Sequence, residues 1–241
     1  MWAIYKKELK IYFLSLRTYI LISAFLVLSG FFFYTSVKFF GVLLDADVVK
    51  GLWENYFDLL RLVLILMLPL LTMGVFAEEK KMGTLELLWS YPLKDWEILI
   101  GKFLSCLTVF FLLLILNFCY PAVLNLYYSF SWGPLFACYL GCFLLGAFFI
   151  SSGILISFTT ENEIVAAAVS FSLFLLFWFL TWNEAAYTPE VLNVLLRISV
   201  FDRFREFTRG IVVVKDVIFF VSATVLFITI TYRAMRMRDW G

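Results

Sequence analysis

The chain has 241 residues, of which 63% are hydrophobic, 20% aromatic and only 15% charged, and its mean hydropathy is +0.96. Soluble domains carry about 25% charged residues, so this composition excludes an ordinary soluble domain and indicates a polytopic membrane protein. The formal net charge of +1 excludes the strongly basic surface that nucleic-acid binding requires.

The residue types that carry most hydrolytic and metal chemistry are missing or isolated. The chain contains no histidine, which removes the commonest general base and the commonest neutral metal ligand. Its cysteines lie in apolar stretches without CxxC spacing, so we interpret them as small core residues. They are Cys106, Cys119, Cys138 and Cys142. We therefore predict no catalytic residue, metal site or cofactor in this chain.

Residues 1–18 predict an amphipathic helix lying at the membrane interface. Aromatic and aliphatic residues recur there at helical spacing, and cations occupy the opposite face. The apolar positions are Trp2, Tyr5, Leu9, Tyr12, Phe13 and Leu16, and the cations are Lys7, Lys10 and Arg17. The next apolar run is too long for a signal peptide, so we expect the segment to be retained. The alternative is the frayed start of one long first helix.

Six apolar runs can cross a bilayer as helices, which takes about 20 residues because backbone groups cannot stay unpaired in lipid. They cover residues 19–40, 59–77, 102–126, 134–158, 163–182 and 217–232. The sequence therefore predicts one all-α transmembrane domain over residues 1–241, with both termini on one side. Eleven of the 19 Lys and Arg residues fall on that side, which predicts cytoplasmic termini and a multi-pass inner-membrane location.

Pro69 lies within the second predicted span. Proline has no N–H and removes one helix hydrogen bond, so we expect a kink or a local widening there. Neighbouring helices can satisfy the freed backbone groups in a membrane. A moving kink and a static packing device are both compatible with the sequence.

The longest polar interruption follows this span, at residues 78–101. It predicts a short helix that ends at Pro92. Inner turns of membrane proteins are normally short unless a soluble partner binds there, and this one is rich in aromatic residues. We interpret the segment as a docking element, and the alternative is a merely solvated loop.

Two further polar segments have structural interpretations. Thr160 and Glu163 have the T-x-x-E spacing of a capping box at the start of the fifth span. A catalytic pair formed by Glu161 and Glu163 would lack a nucleophile or metal.

Residues 183–216 mix apolar and cationic positions, which predicts amphipathic helices on the extracytoplasmic surface. They could cap an exit path, bind an extracytoplasmic partner or simply connect two spans.

Several short motifs follow one another along nearly the whole chain. They are residues 69–73 running into residues 78–88, then Tyr91-Pro92, Gly101-Lys102, residues 139–141, residues 157–167, residues 207–210 and Asp216-Val217. In this order they resemble ABC type-2 transporter permeases, most of all the gliding-motility-associated, GldF-like branch.

This resemblance implies an N-terminal elbow helix, six spans per subunit, and two permease subunits paired over two ATPase subunits. Residues 78–101 would contain the coupling helix that docks on the ATPase. Gly83 would permit the turn, Thr84 would begin the helix and Pro92 would end it. The docking side chains would be Leu85, Leu88 and Trp89, with charge complementarity from Glu78, Glu79 and Glu86.

No phosphate-binding loop occurs in the sequence, because Gly101-Lys102 is followed by Phe103 and lacks the earlier glycine. ATP and Mg²⁺ are therefore expected in the partner ATPase. This chain is expected to be a non-enzymatic permease subunit that works in export. The second permease would be an identical or a related chain, and an accessory extracytoplasmic subunit is possible. Two alternatives are an ion-driven secondary transporter, which usually needs intramembrane carboxylates, and a non-transporting anchor or signalling subunit.

Overall fold

A computed structural model describes residues 1–40, 46–85, 94–127, 130–182 and 199–237, with side chains described in all of these except residues 46–50 and 180–182. The elements in these ranges are all helices. They are α1 Trp2–Leu14, α2 Leu16–Phe40, α3 Ala46–Thr72, α4 Gly74–Lys81, α5 Asp95–Asn117, α6 Cys119–Asn125, α7 Trp132–Thr159, α8 Glu163–Trp182, α9 Val200–Thr208 and α10 Val214–Met237.

Five helical stretches are long and apolar enough to span a bilayer, which confirms the all-α polytopic class. They are Leu16–Phe40, Gly51–Lys81, Asp95–Asn125, Trp132–Thr159 and Val214–Met237. The sixth predicted span corresponds to α8, which begins at Glu163 as the sequence predicts. Trp182 is the last described residue of this stretch, so the predicted end of the span stays a prediction. Its described apolar part, Glu163–Phe179, is shorter than the other five, so its crossing of the bilayer stays a prediction.

Helix α7 is the packing axis of the bundle. It contacts α3, α4, α5, α8, α9 and α10, and most of its side chains are buried. Three of its glycines each receive a side chain from a different neighbour: Gly141 faces Phe207, Gly146 faces Phe110 and Gly153 faces Thr72. A Cβ atom at any of them would overlap that neighbour.

The bundle has two charged ends. Arg17 contacts Glu163 at 2.8 Å, the Met1 ammonium contacts Glu97 at 3.5 Å, and Lys80 donates to the carbonyl of Phe158. These contacts bring the starts of α1, α2, α5 and α8 together with the ends of α4 and α7, and we call this the N-terminal end.

At the opposite end, α9 joins the bundle through its apolar face. Phe201, Phe204 and Phe207 are fully buried, while Arg203 contacts Asp216 at 2.8 Å. The Ser199 side chain accepts a hydrogen bond from the Asp202 N–H at 3.2 Å and so caps the helix. Helix α9 belongs to the predicted extracytoplasmic segment 183–216, whose residues 183–198 lie outside the described part.

Helix α10 begins beside α9 and runs back along α7. The Phe220 ring lies 6.2 Å from that of Phe207 in α9. About two turns further along α10, the Phe227 ring lies 5.6 Å from that of Phe148 in α7. The rise of about 1.5 Å per helical residue carries the end of α10 toward the N-terminal end. The start of α1 and the described end of α10 therefore approach the same end of the bundle, which agrees with an even number of spans.

The close contact at Gly146 provides a test of this packing. Gly146→Ala places a methyl group into the ring of Phe110, and overpacking of this kind costs about 1–3 kcal/mol. Gly133→Ala is the matched control, because nothing lies within 4 Å of a Cβ atom there. We expect a lower thermal midpoint in detergent for the first variant and no loss for the second. Equal midpoints would contradict the packing described for α7.

Candidate functional site

The most accessible polar feature of the N-terminal end is the chain that leaves α4 and enters the predicted docking segment. The Met82 N–H donates to the carbonyl of Glu78 at 3.0 Å and the Gly83 N–H to that of Lys80 at 3.1 Å, which closes α4. Gly83 has a φ of +68°, a left-handed conformation that glycine adopts without steric cost. The chain therefore turns at Gly83, and the Thr84 hydroxyl donates to the carbonyl of Glu79 at 3.3 Å.

The side chains at this turn do not share one environment, and of the predicted docking anchors only Leu85 is among the described residues. Met82 is 61% exposed, whereas Leu85 is only 2% exposed and packs into the core of this chain. The expectation that Leu85 presents itself to a partner is therefore wrong, because its side chain is already covered within the subunit. Glu86, Leu88, Trp89 and Pro92 lie outside the described residues.

The two glutamates before the turn also differ. The Glu78 side chain is 41% exposed and lies 3.6 Å from Arg17. The Glu79 carboxylate is mostly buried and lies 2.9 Å from the Lys102 ammonium and 3.9 Å from that of Lys7. Glu78 is thus available for a partner, while Glu79 is engaged by cations of its own chain.

A buried ion cluster lies directly beneath this turn. Lys102, in the first third of α5, is 1% exposed. Its ammonium contacts Glu79 of α4 at 2.9 Å and Glu8 of α1 at 3.2 Å, and it donates to the Val75 carbonyl at 2.9 Å. Buried charges are costly unless they are paired and hydrogen-bonded, and here the cation and both carboxylates are paired. The cluster therefore joins three helices at one point.

A second cluster, more exposed, joins another set of helices. Arg17, near the start of α2, lies 2.8 Å from Glu163 of α8 and 3.6 Å from Glu78 of α4. The capping box predicted from Thr160 and Glu163 is therefore not formed. The Asn162 side chain instead accepts from the Ile164 N–H at 2.9 Å, and Glu163 is drawn to Arg17 because a cation is a stronger partner for a carboxylate than a backbone N–H.

Helix α4 begins at an interruption of the second predicted span. Helix α3 includes Pro69 and ends three residues later, and α4 starts at Gly74. At this break Ser157 of α7 inserts its hydroxyl, which donates to the carbonyl of Met73 at 2.8 Å and accepts from the N–H groups of Phe76 and Ala77 at 3.1 and 3.2 Å. The boundary between α3 and α4 lies at Met73, whose backbone is helical and whose N–H donates to the carbonyl of Pro69 at 2.9 Å. The Ser157 hydroxyl from α7 adds hydrogen bonds to the backbone there, and the kink predicted at Pro69 stays a prediction.

Helix α1 is held to α5 by its aromatic residues. The Tyr5 hydroxyl lies 3.0 Å from that of Thr108, and the Tyr12 hydroxyl lies 3.1 Å from the Cys106 sulfur. Burial raises the pKa of Tyr12 well above its usual value, so this phenol stays protonated. Helix α1 ends at Ser15, whose extended backbone separates it from α2. Half of the apolar face predicted for lipid is therefore turned into the protein, while Trp2 and Phe13 stay exposed.

A cavity of about 460 Å³ separates α1 and the start of α2 from α4. Its walls combine charged and apolar groups from those helices and from the turn. The residues at its polar side are Lys7, Glu8, Arg17, Glu78, Glu79 and Lys102. Open space on this side leaves α4 free of close packing there, so the ion pairs carry its attachment to α1 and α5.

The site connects an exposed turn to several helices through paired charges. Within the described ranges, no group of three His, Cys, Asp or Glu residues could hold a metal ion. The carboxylates are paired with Lys or Arg, and these pairs connect α4 with α1, α2, α5 and α8. Such an arrangement can receive a displacement at the turn and pass it to the bundle.

Sequence reasoning missed the residues that organise this site. Glu8 is a single acidic residue in a basic segment, and Lys102 was interpreted only as part of the Gly101-Lys102 motif and as a charge that indicates orientation. A charged residue at the head of a long apolar run is the signal that could have identified Lys102, because such residues are normally paired. No comparable signal marks Ser157 among the other serines of α7.

Comparison with known proteins agrees with this description. The family model for the ABC-2 family transporter protein matches residues 2–240. No curated protein matches the chain. The similarity to the GldF-like branch stays a prediction. With the match extending over nearly its whole length, the chain belongs to the ABC-2 transporter family and is a multi-pass membrane permease subunit of an ABC transporter.

Proposed function

We propose that this permease is driven by a separate ATPase chain that docks on the segment beginning at Glu78, and that it works as an exporter. The observation that supports this most directly is the turn at Gly83. It projects from α4 beside an exposed Met82, at the end of the bundle that the start of α1 and the described end of α10 approach. A soluble partner can reach this turn without entering the membrane.

The energy source is assigned to the partner. ATP and Mg²⁺ are assigned to the ATPase because this sequence has no phosphate-binding loop. The pairing of two ATPase subunits beneath two permease subunits rests on the resemblance to type-2 permeases. The docking side chains are assigned to Leu88 and Trp89, with Glu78 and Glu86 as charged neighbours. Leu85 is removed from this set because it is buried. Export, rather than import, rests on the resemblance to type-2 permeases.

The N-terminal end is assigned to the cytoplasm and the membrane to the inner membrane. This end carries the larger share of Lys and Arg in the sequence, as cytoplasmic loops do. The opposite end, with α9, would then face the extracytoplasmic side, where an accessory subunit could bind. An ATPase on the cytoplasmic side would meet the turn at Gly83 directly.

Co-purification with the candidate ATPase tests the docking assignment. The variant Leu88→Glu with Trp89→Glu removes two apolar anchors, each worth about 2 kcal/mol or more, so retained ATPase should fall more than about tenfold. The matched control is Leu126→Glu with Tyr127→Glu, an adjacent pair that is 81% and 79% exposed beyond α6. The control should retain the ATPase as the native chain does.

Two outcomes would contradict the proposal. If the native chain holds no ATPase, a secondary transporter or an anchor subunit becomes the better description. If the Leu88 and Trp89 variant binds as well as the control, the ATPase docks elsewhere. An assembled complex whose ATP turnover supports no transport would favour the anchor or signalling subunit.

Thiol labelling tests the orientation. Cys119 is exposed, whereas Cys106, Cys138 and Cys142 are buried. The variant Cys119→Ser should therefore show little labelling of native thiols. In this background we expect Met82→Cys to react with a membrane-impermeant maleimide only in inverted vesicles. Ile211→Cys, 52% exposed at the opposite end, should react only in intact cells. The reverse pattern would place the N-terminal end outside.

A further inference from the structure

We propose that Lys102 is the joint through which the docking segment moves α5 and the N-terminal helix α1. The inference deepens the proposed function and rests on it, because it assumes that a partner displaces the turn at Gly83. After docking, a displacement of α4 has to pass to other helices through direct contacts. The buried Lys102 ammonium makes such contacts with both α4 and α1.

Lys102 holds α4 along one full turn. Its ammonium donates to the Val75 carbonyl at 2.9 Å, lies 5.2 Å from the centre of the Phe76 ring and contacts the Glu79 carboxylate at 2.9 Å. Val75 and Glu79 are four residues apart and therefore on the same face of α4. A shift or rotation of α4 cannot preserve all three contacts unless Lys102 moves with it.

The same ammonium holds α1. Glu8 lies 3.2 Å from it, and Glu8 and Ile4 are the buried residues of α1. An ammonium group has three donors and no acceptor. Here three acceptor oxygens, from Glu8, Glu79 and Val75, lie within 3.2 Å. The donor capacity of Lys102 is thus matched by acceptors from two other helices.

The remaining contacts of α4 lead mainly to other helices. Toward α7, the Ser157 hydroxyl bonds the backbone of Met73, Phe76 and Ala77, and Lys80 donates to the carbonyl of Phe158. Helix α4 also packs on α8. Toward α1, the described contacts besides Lys102 include the pair of Lys7 and Glu79 at 3.9 Å, in which Lys7 is half exposed. Exposed pairs contribute little, whereas breaking a buried pair leaves an uncompensated charge. Lys102 is therefore the strong connection from α4 to α1 and α5.

The obvious variant, Lys102→Met, would leave two carboxylates buried without a cation and could fail to fold. We therefore choose Glu8→Gln, Glu79→Gln and Lys102→Met together, which keeps the volumes and removes all three charges. The control is Glu163→Gln with Arg17→Met. It breaks the more exposed ion pair that joins α2 and α8 and leaves the docking segment unchanged.

The experiment uses the full chain assembled with its ATPase, in the Cys119→Ser background. An environment-sensitive fluorophore is attached either at Met82→Cys, on the turn, or at Lys6→Cys, on the exposed face of α1. A non-hydrolysable ATP analogue is then added. We expect both positions to respond in the native chain and in the control. In the charge-free triple variant, Met82 should still respond and Lys6 should lose most of its response.

A milder variant separates the two arms of the joint. Glu8→Leu removes the contact to α1 and leaves Lys102 paired with Glu79, so it should reduce the response at Lys6 without changing the response at Met82. A structural role alone would lower the thermal midpoint without separating the two positions. The thermal midpoint of each variant is measured in parallel.

The proposal is overturned if the triple variant folds and Lys6 responds as in the native chain. It is also overturned if the native complex assembles and Met82 responds while Lys6 does not. Failure of the native chain to hold the ATPase is a different result, because it rejects the proposed function and the joint falls with it. Co-purification distinguishes that result from the first two.

Discussion

The burial of one ammonium group constrains the whole N-terminal end of this permease. Lys102 is removed from water, which is costly unless every charge is paired, and pairing requires α1 and α4 to approach α5 at the same point. Glu8 and Glu79 meet this requirement from two different helices. The position of the elbow helix α1 is thereby fixed relative to the turn at Gly83, although the two are separated by more than a whole transmembrane span.

A second constraint comes from α7, which supplies no charge and organises the bundle by close approach. Gly153 admits Thr72 at the end of α3, and one turn further on Ser157 satisfies the backbone at the start of α4. Neighbouring helices can satisfy backbone groups in a membrane. The boundary between α3 and α4 at Met73 is thus supported by α7, which supplies both the space and the hydroxyl.

The sequence predicted what depends on local pattern and failed where the outcome depends on partners. The apolar runs located the helices, including the start of α8, because hydrophobic length is a property of the segment itself. Leu85 has the pattern of an exposed docking residue, yet it is buried, since burial depends on which helices pack beside it. Glu163 has the spacing of a capping box, yet its carboxylate contacts Arg17 at 2.8 Å. Charge pairing between distant segments leaves no periodic signal.

The attachments of α4 determine where a displacement of the turn at Gly83 can go. Toward α7, the Ser157 hydroxyl bonds the backbone of Met73, Phe76 and Ala77, and Lys80 donates to the carbonyl of Phe158. Toward α5 and α1, the buried Lys102 ammonium has acceptors between 2.9 and 3.2 Å. Hydrogen bonds lose their energy when donor and acceptor separate, so α4 is firmly held on both sides. Under the proposed joint, a displacement of α4 reaches α1 through Lys102, because the pair of Lys7 and Glu79 that also links the two helices is half exposed on its Lys7 side and contributes little.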